Sequence, residues 1–227
     1  MVFWCQERPP RRGSAPDLPE IVVAAVALAD REGLEAVSLR RVSTALGSGT
    51  ASFYRVIDSR GELLDRMVDA VLGRHIPPEA SGEWRADLAA VARNRRAILN
   101  AHPWLGTELA GRPAIGPNAL THHERALAAA AGYAYDPTAA SSAVETVLAY
   151  VLGAAARESA ESRTRRRSGL TDEQWRTSVA PYLRQALNSG TYPHLERMMH
   201  EATDLDPDER FERGLACVLA GLATWTP

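Results

Sequence analysis

The sequence has few cysteines, no lysine and no long apolar run. Its two cysteines, Cys5 and Cys217, can close at most one bridge, which excludes a disulfide-stapled secreted domain and favours a cytoplasmic location. All of its basic residues are arginine, which we attribute to coding bias. The longest apolar stretches, 146–156 and 214–225, fall short of the roughly 18 residues that span a bilayer, so no membrane contact is expected.

Strand patterns and a net positive charge are also missing. No stretch alternates cleanly between apolar and polar residues, whereas alanine and leucine recur at helical spacing. This pattern predicts an all-α fold of about nine or ten helices. Because the formal net charge is −2, contact with nucleic acid would require a local basic patch.

Prolines, glycines and charge divide the chain into three parts. Residues 1–17 contain three prolines and a cluster of arginines, which predict a flexible basic arm that is either unstructured or inserted into a minor groove. Residues 18–76 and 77–227 are predicted to form a smaller and a larger helical unit. In the larger unit, the arginine-rich stretch 163–167 is predicted to be a mobile loop.

Two short helices with a tight glycine-containing break between them are predicted between residues 38 and 60. Ser38 is a good N-cap for the first helix, residues 47–49 form the break, and the second helix covers 50–56. This is the helix-turn-helix plan, whose second helix enters the major groove of DNA. Four arginines against one aspartate give residues 38–60 a charge of +3, which favours contact with phosphates.

Several short motifs in residues 18–75 occur together in the expected order. They are Ala24-Ala25, Gly33-Leu34, Ser38-Leu39-Arg40, Leu46-Gly47, Phe53-Tyr54-Arg55 and Glu62-Leu63-Leu64. With these motifs the stretch resembles the DNA-binding domain of the TetR family of transcriptional regulators. Segments farther along, including His102-Pro103-Trp104 and Asp206-Pro207, look like the ligand-binding half of the subgroup that contains the tetracycline repressor.

The resemblance implies a ligand-responsive repressor that binds a palindromic operator as a homodimer, with a small-molecule effector and no cofactor. It implies a three-helix DNA-binding domain within 18–76 and a ligand-binding and dimerisation domain over 77–227. The residues that would contact DNA are Ser38, Arg40, Gly49, Thr50, Ala51, Ser52, Tyr54, Arg55 and Arg60. Two positions depart from the family: Val56 replaces a frequent histidine, and Arg60 replaces a lysine.

Polar or aromatic residues on otherwise apolar segments indicate a ligand site. The predicted ligand-binding residues are Trp104, Glu108, Arg112, His122, Tyr150 and Trp175. Tetracycline-binding relatives place a magnesium-linked histidine where this chain has Glu108, so we expect a different ligand.

Two of the predicted helices, at about 137–162 and 207–224, are apolar almost all round. This indicates burial on more than one side. Their apolar residues belong either to the core of one chain or, as the resemblance implies, to a four-helix bundle between two copies. The predicted interface residues are Val144, Leu148, Val151, Phe211, Leu215, Val218, Leu219 and Leu222.

An enzyme built on a helical bundle, or a small-molecule-binding bundle without DNA-binding activity, is the competing interpretation. An enzyme needs a nucleophile–base set or metal ligands. The sequence has neither at a recognisable spacing: none of its six histidines pairs with another at the i, i+4 spacing of the zinc-helix motif. We therefore expect neither catalytic activity nor a metal.

Overall fold

The computed structural model describes residues 4, 16–49, 53, 56–111 and 114–225. Within these residues the regular structure is entirely helical, which confirms the all-α fold. The helices are α1 (Leu18–Glu32), α2 (Leu39–Ala45), α3 (Arg60–Gly73), α4 (Trp84–Ala101), α5 (Leu105–Gly111), α6 (Pro117–Ala130), α7 (Pro137–Ser168), α8 (Asp172–Leu187), α9 (Pro193–Glu201) and α10 (Pro207–Thr224). A 3-10 turn, Leu34–Ala36, connects α1 to α2.

Side-chain caps and prolines determine where most helices begin. Ser38 caps α2 and Ser59 caps α3, each by accepting a backbone N–H one turn later. Asp17, Thr171 and Asp206 form capping boxes at α1, α8 and α10. Proline lies in the first turn of α1, α6, α7, α9 and α10, where its missing N–H costs nothing.

Helices α1 to α3 form an N-terminal bundle. Helix α1 packs against α2 and α3. The apolar stripes that the sequence predicts on α1 and α3 are buried, with Ile21, Leu63 and Met67 completely so. The hydrophobic periodicity therefore located the core of this bundle correctly.

Helices α4 to α10 form a larger C-terminal bundle. Its centre is made by α4, α6, α7 and α10, while α8 and α9 pack against each other. Helix α3 also packs against α6, so the two bundles share a contact surface.

The predicted mobile loop at 163–167 is wrong, because α7 continues through it to Ser168. Arginine is a good helix former, and Arg163 donates from Nη1 to Ser159 Oγ one turn earlier at 2.9 Å. The helix ends at Gly169, whose φ of 68° lies in the left-handed region that glycine adopts most readily.

The span Pro137–Arg165 of α7 is long and apolar enough to cross a membrane by length and composition alone. The expectation of no such segment considered only uninterrupted apolar runs, whereas this span contains scattered polar residues. A core helix passes the same test, and α7 packs against α4, α5, α6 and α10. We therefore assign its apolar residues to helix packing.

Candidate functional site

The turn after α2 has the geometry of a tight helix-turn-helix connection. Gly47 has a φ of 63°, in the left-handed region, and its N–H donates to the carbonyl of Thr44. Ser48 donates to the carbonyl of Ser43 at 3.0 Å, which closes the end of α2. Gly49 follows with an exposed backbone.

Phe53 anchors the segment after this turn. Its side chain is fully buried, and its carbonyl accepts hydrogen bonds from the N–H groups of Val56 and Ile57. Five of the predicted DNA-contacting residues lie outside the described residues: Thr50, Ala51, Ser52, Tyr54 and Arg55.

The neighbouring arginines on α2 have different surroundings. Arg41 donates from Nη2 to Glu32 Oε2 at 2.6 Å and thereby joins α2 to α1; this pairing lowers the pKa of Glu32. The side chain of Arg40 is exposed and makes no ion pair with the described residues. Arg40 is therefore the arginine of this pair that is available to a ligand.

Arg60 is held by the backbone that precedes α2. Its Nε donates to the carbonyl of Val37 at 3.1 Å and its Nη2 to that of Leu34 at 3.2 Å. These bonds connect the first residue of α3 to the 3-10 turn and the start of α2. A guanidinium has five N–H donors, so three remain.

A cavity of about 530 Å³ opens between α4, α5, α6 and α7, with Leu72 of α3 in its wall. We call it the α4–α7 cavity. Its size is in the range of small-molecule sites. Most of its lining is apolar, including Leu99, Leu109, Ala126, Val144, Leu148 and Leu152.

Among the predicted ligand residues that the structure describes, His122 alone lines this cavity. Its ring is buried, and Nε2 donates to the carbonyl of Leu72 at 2.9 Å. Burial lowers the pKa of His122 against the opposing effect of that hydrogen bond, and the charge of Arg95 lowers it further. The imidazole is therefore neutral at pH 7, with Nδ1 as an acceptor.

The other predicted ligand residues lie elsewhere. Trp104 is buried against Asp30, Tyr150 donates to the carbonyl of Phe211 at 2.8 Å, and Trp175 is exposed on α8. Glu108 lines a small cleft beside Trp4. Arg112 lies outside the described residues. Trp104 and Tyr150 thus take part in contacts between helices, whereas Trp175 does not.

Two polar junctions connect the bundles. At the first, Asp69 of α3 accepts the N–H groups of Asn118 and Ala119 at 2.9 and 3.0 Å. Asp69 thus caps α6, whose own N-cap residue is Gly116. A Cβ on Gly116 would collide with the Asp69 carboxylate, so this close approach requires glycine.

At the second junction, Asp30 of α1 contacts the connection between α4 and α5. Its Oδ1 accepts from His102 Nδ1 and from Trp104 Nε1, both at 2.7 Å. A displacement of either bundle relative to the other must stretch these bonds.

Six of the predicted dimer-interface residues are buried within a single chain, so their side chains do not form an exposed interface. They are Val144, Val151, Phe211, Leu215, Leu219 and Leu222. Leu148 and Val218 are half-buried. These side chains contribute to the core of one chain, because α7 and α10 pack against each other and against α4. The four-helix bundle between two copies stays a prediction.

Comparison with known proteins identifies the family. The family described as tetracyclin repressor-like, C-terminal domain, matches residues 76–226. The chain belongs to the TetR family of transcriptional regulators. It is 39% identical over 226 residues to the HTH-type transcriptional repressor DrrR1 of Streptomyces coeruleorubidus, covering 97% of this chain and 83% of that protein. An HTH-type transcriptional regulator of Saccharopolyspora erythraea is 35% identical over 208 residues, covering 90% of this chain and 83% of that protein.

Solved TetR-family structures have the same architecture. Apo ActR from Streptomyces coelicolor superposes with a TM-score of 0.76 at 28% identity, covering 93% of this chain and 97% of that one. ActR in complex with actinorhodin gives 0.74 at 30% identity, covering 91% and 98%. The DNA-binding regulator is thus the supported interpretation, and the enzyme and the bundle without DNA binding are not favoured.

Sequence reasoning missed three residues with notable contacts here: Asp30 and Asp69 at the two junctions, and Arg95 beside His122 in the cavity wall. A signal existed for Asp69, which is an acid among the apolar residues of α3, while α6 begins at Gly116-Pro117 without a capping side chain. Each feature is incomplete alone, and neither indicates that these two segments pack together. Among the described residues, no three His, Cys, Asp or Glu side chains cluster as a metal site.

Proposed function

We propose that this protein is a homodimeric repressor that binds a palindromic operator and releases it when a small organic effector fills the α4–α7 cavity. A series of contacts from the cavity to α2 is the observation that supports this mechanism. His122 in the cavity wall donates to Leu72 near one end of α3, and Arg60 at the other end donates to Val37 beside Ser38. An effector that displaces α6 would therefore move α3 and the DNA-contacting segment.

The proposed DNA surface is the segment 38–60. Arg40 is exposed, and Arg60 keeps three N–H donors for phosphate while it braces α2. By the family resemblance, Tyr54 would donate its phenol to a phosphate, and residues 49–52 would approach the base edges.

The proposed effector is an organic molecule, because the cavity lining is mainly apolar. ActR, which superposes over 91% of this chain, has been solved with actinorhodin. Of the six ligand residues predicted from the sequence, we retain His122 in this site.

The proposed dimer surface is the exposed side of α7 and α10. It consists of small residues, among them Ala149, Gly153 and Ala156 on α7 and Ala216 and Ala220 on α10. Small side chains allow close approach of helices from two copies. A two-fold dimer would match half-sites about one helical turn apart, or a multiple of it.

Fluorescence anisotropy with a labelled palindromic duplex from upstream of the protein's own gene tests this function. We expect Tyr54→Ala and Arg60→Ala to abolish binding while the protein remains dimeric by light scattering. The matched control is Arg184→Ala on α8, which should bind like the unmodified protein. Binding should weaken steeply with salt. Unchanged affinity in both Tyr54→Ala and Arg60→Ala would refute the proposal.

A further inference from the structure

Three arginines on α4 differ in whether an acid neutralises them. Arg93 makes a bidentate pair with Glu212, at 2.7 and 2.8 Å. Arg96 pairs with Glu158 at 3.0 Å and Asp208 at 2.8 Å. Both positive charges are thus matched by acids on α7 or α10.

Arg95 lies between them and lines the α4–α7 cavity without an acid partner. The described polar group that it contacts is His122, and the distance from Arg95 Nη2 to His122 Nδ1 is long, at 3.5 Å. In the described part of the chain, no carboxylate approaches its guanidinium within the distance of an ion pair. Burial lowers the pKa of Arg95 to about 10, so the group remains charged at neutral pH.

None of the described groups around Arg95 neutralises its positive charge. His122 is neutral, and the nearby cavity wall is formed by Leu72, Leu99 and Ala126. Glu145 also lines the cavity, but it is exposed and accepts a hydrogen bond from Ser141. An unpaired cation in apolar surroundings destabilises the protein unless a ligand supplies the opposite charge.

We propose that Arg95 binds the anionic group of the effector, which is therefore an apolar organic acid. This inference rests on the proposed function of the cavity as the effector site. Arginine presents a planar fork of N–H donors that suits carboxylate and sulfonate oxygens. The hydrocarbon part of the acid would occupy the apolar remainder of the cavity.

The same contact would link ligand charge to α3. Arg95 touches His122, and His122 donates to Leu72 of α3. An anion that draws the guanidinium toward itself would weaken the contact with His122 and so alter the support of α3. Arg95 thus both selects the ligand and lies beside the residue that contacts the N-terminal bundle.

Two fluorescent probes with the same aromatic frame test the charge directly. 1-Anilinonaphthalene-8-sulfonate has a sulfonate, and N-phenyl-1-naphthylamine is its neutral counterpart. In titrations of the full-length protein, we expect Arg95→Met to weaken the sulfonate probe about 10- to 100-fold. The neutral probe should change less than about twofold, because its binding depends on apolar area. Equal effects on both probes, or none on either, would overturn the inference.

Further variants separate this inference from the proposed function. Leu148→Trp fills the cavity and should abolish binding of both probes; if both still bind, the cavity is not the site, and both proposals fail. If Leu148→Trp blocks both probes but Arg95→Met spares the sulfonate, only the inference fails. Glu145→Gln, the matched charge control, should leave the sulfonate probe bound as tightly as before or more tightly.

A stability measurement checks that Arg95→Met reports on charge and not on misfolding. Arg95 is half-buried, and removing its unpaired charge should raise the midpoint of thermal unfolding in the absence of ligand. Arg95→Lys, which keeps a charge but loses the fork, should retain part of the preference for the sulfonate probe. A lower midpoint for Arg95→Met would show that Arg95 serves the fold, and would overturn the assignment.

Discussion

The N-terminal and C-terminal bundles stabilise their polar groups over very different distances along the chain. In the N-terminal bundle, Ser59 caps α3 through the N–H of Glu62, and Glu62 pairs with Arg66 four residues later. In the C-terminal bundle, Arg93 reaches Glu212 across 119 residues and Arg96 reaches Glu158 across 62. The difference indicates an N-terminal unit stabilised by local contacts, joined to a bundle whose arrangement depends on distant partners.

The α4–α7 cavity lies in the C-terminal bundle, where polar contacts join distant parts of the chain. The proposed response to a ligand requires such a region. A cavity leaves apolar side chains with fewer contacts, so its walls can shift at lower cost than a close-packed core. In the proposed mechanism, Asp69 and Asp30 would transmit such a shift to the N-terminal bundle.

The largest expected effect comes from separating the two copies of the proposed dimer without disturbing either bundle. A Cβ at Gly153 would meet no atom of its own chain, so the chain itself does not require glycine there. In the proposed dimer, Gly153→Leu places a large side chain against the partner helix twice, once per copy, at about 1–3 kcal/mol each. We expect monomers in light scattering and loss of operator binding, with unchanged helicity.

Glu124→Leu on the exposed side of α6 is the control for an added surface leucine. It should remain dimeric and bind the operator. A Gly153→Leu protein that stays dimeric at micromolar concentration would contradict the proposed interface.

The second prediction concerns the junction between the bundles, where Asp69 of α3 caps α6. Asp69→Ala leaves the N–H groups of Asn118 and Ala119 without their acceptor, and we expect it to lower the free energy of unfolding by about 1–3 kcal/mol. It should also reduce the effect of an effector on operator affinity, because α6 no longer holds α3 at this point. Urea unfolding and anisotropy measure the two effects.

Asp69→Asn keeps an oxygen for the same N–H groups and loses only the charge at the start of α6. It should therefore be destabilised less than Asp69→Ala. Equal stability of Asp69→Ala and the unmodified protein would show that water replaces the carboxylate without loss.

Features that depend on local contacts could be predicted from the sequence, and features that depend on distant contacts could not. Ser38, Gly33 and the stripe that includes Ile21 were predictable because a cap, a helix stop and a helical period are local signals. The roles of Asp69 and Arg95 were not, because each depends on which distant segment packs against its helix. A buried acid or an excess arginine indicates that a partner is needed, but the fold determines which one.

The predicted dimer interface rests on a pattern that has two physical meanings. Apolar side chains such as Leu215 and Leu219 indicate burial, but burial within one chain and burial between two give the same pattern. The proposed dimer surface instead uses the exposed small residues of the same helices. Tyr150 hydroxyl requires glycine at Gly214 inside the chain, whereas Gly221, like Gly153, has open space.

The smallest expected effect concerns the hydrogen bond from His122 to Leu72 and appears as a dependence on pH. Because the folded state lowers the pKa of His122 below its ordinary value of 6.5, the unfolded chain takes up the proton first as the solution is acidified. The contribution of His122 to stability is therefore complete above pH 6.5 and is lost as pH falls through the lowered pKa. His122→Gln keeps an N–H donor for Leu72 and cannot titrate, so its unfolding free energy should decline less between pH 7 and 5. His123→Gln, at the exposed neighbouring position, should follow the unmodified protein. If His122→Gln and His123→Gln give the same pH profile, the neutral imidazole does not support α3.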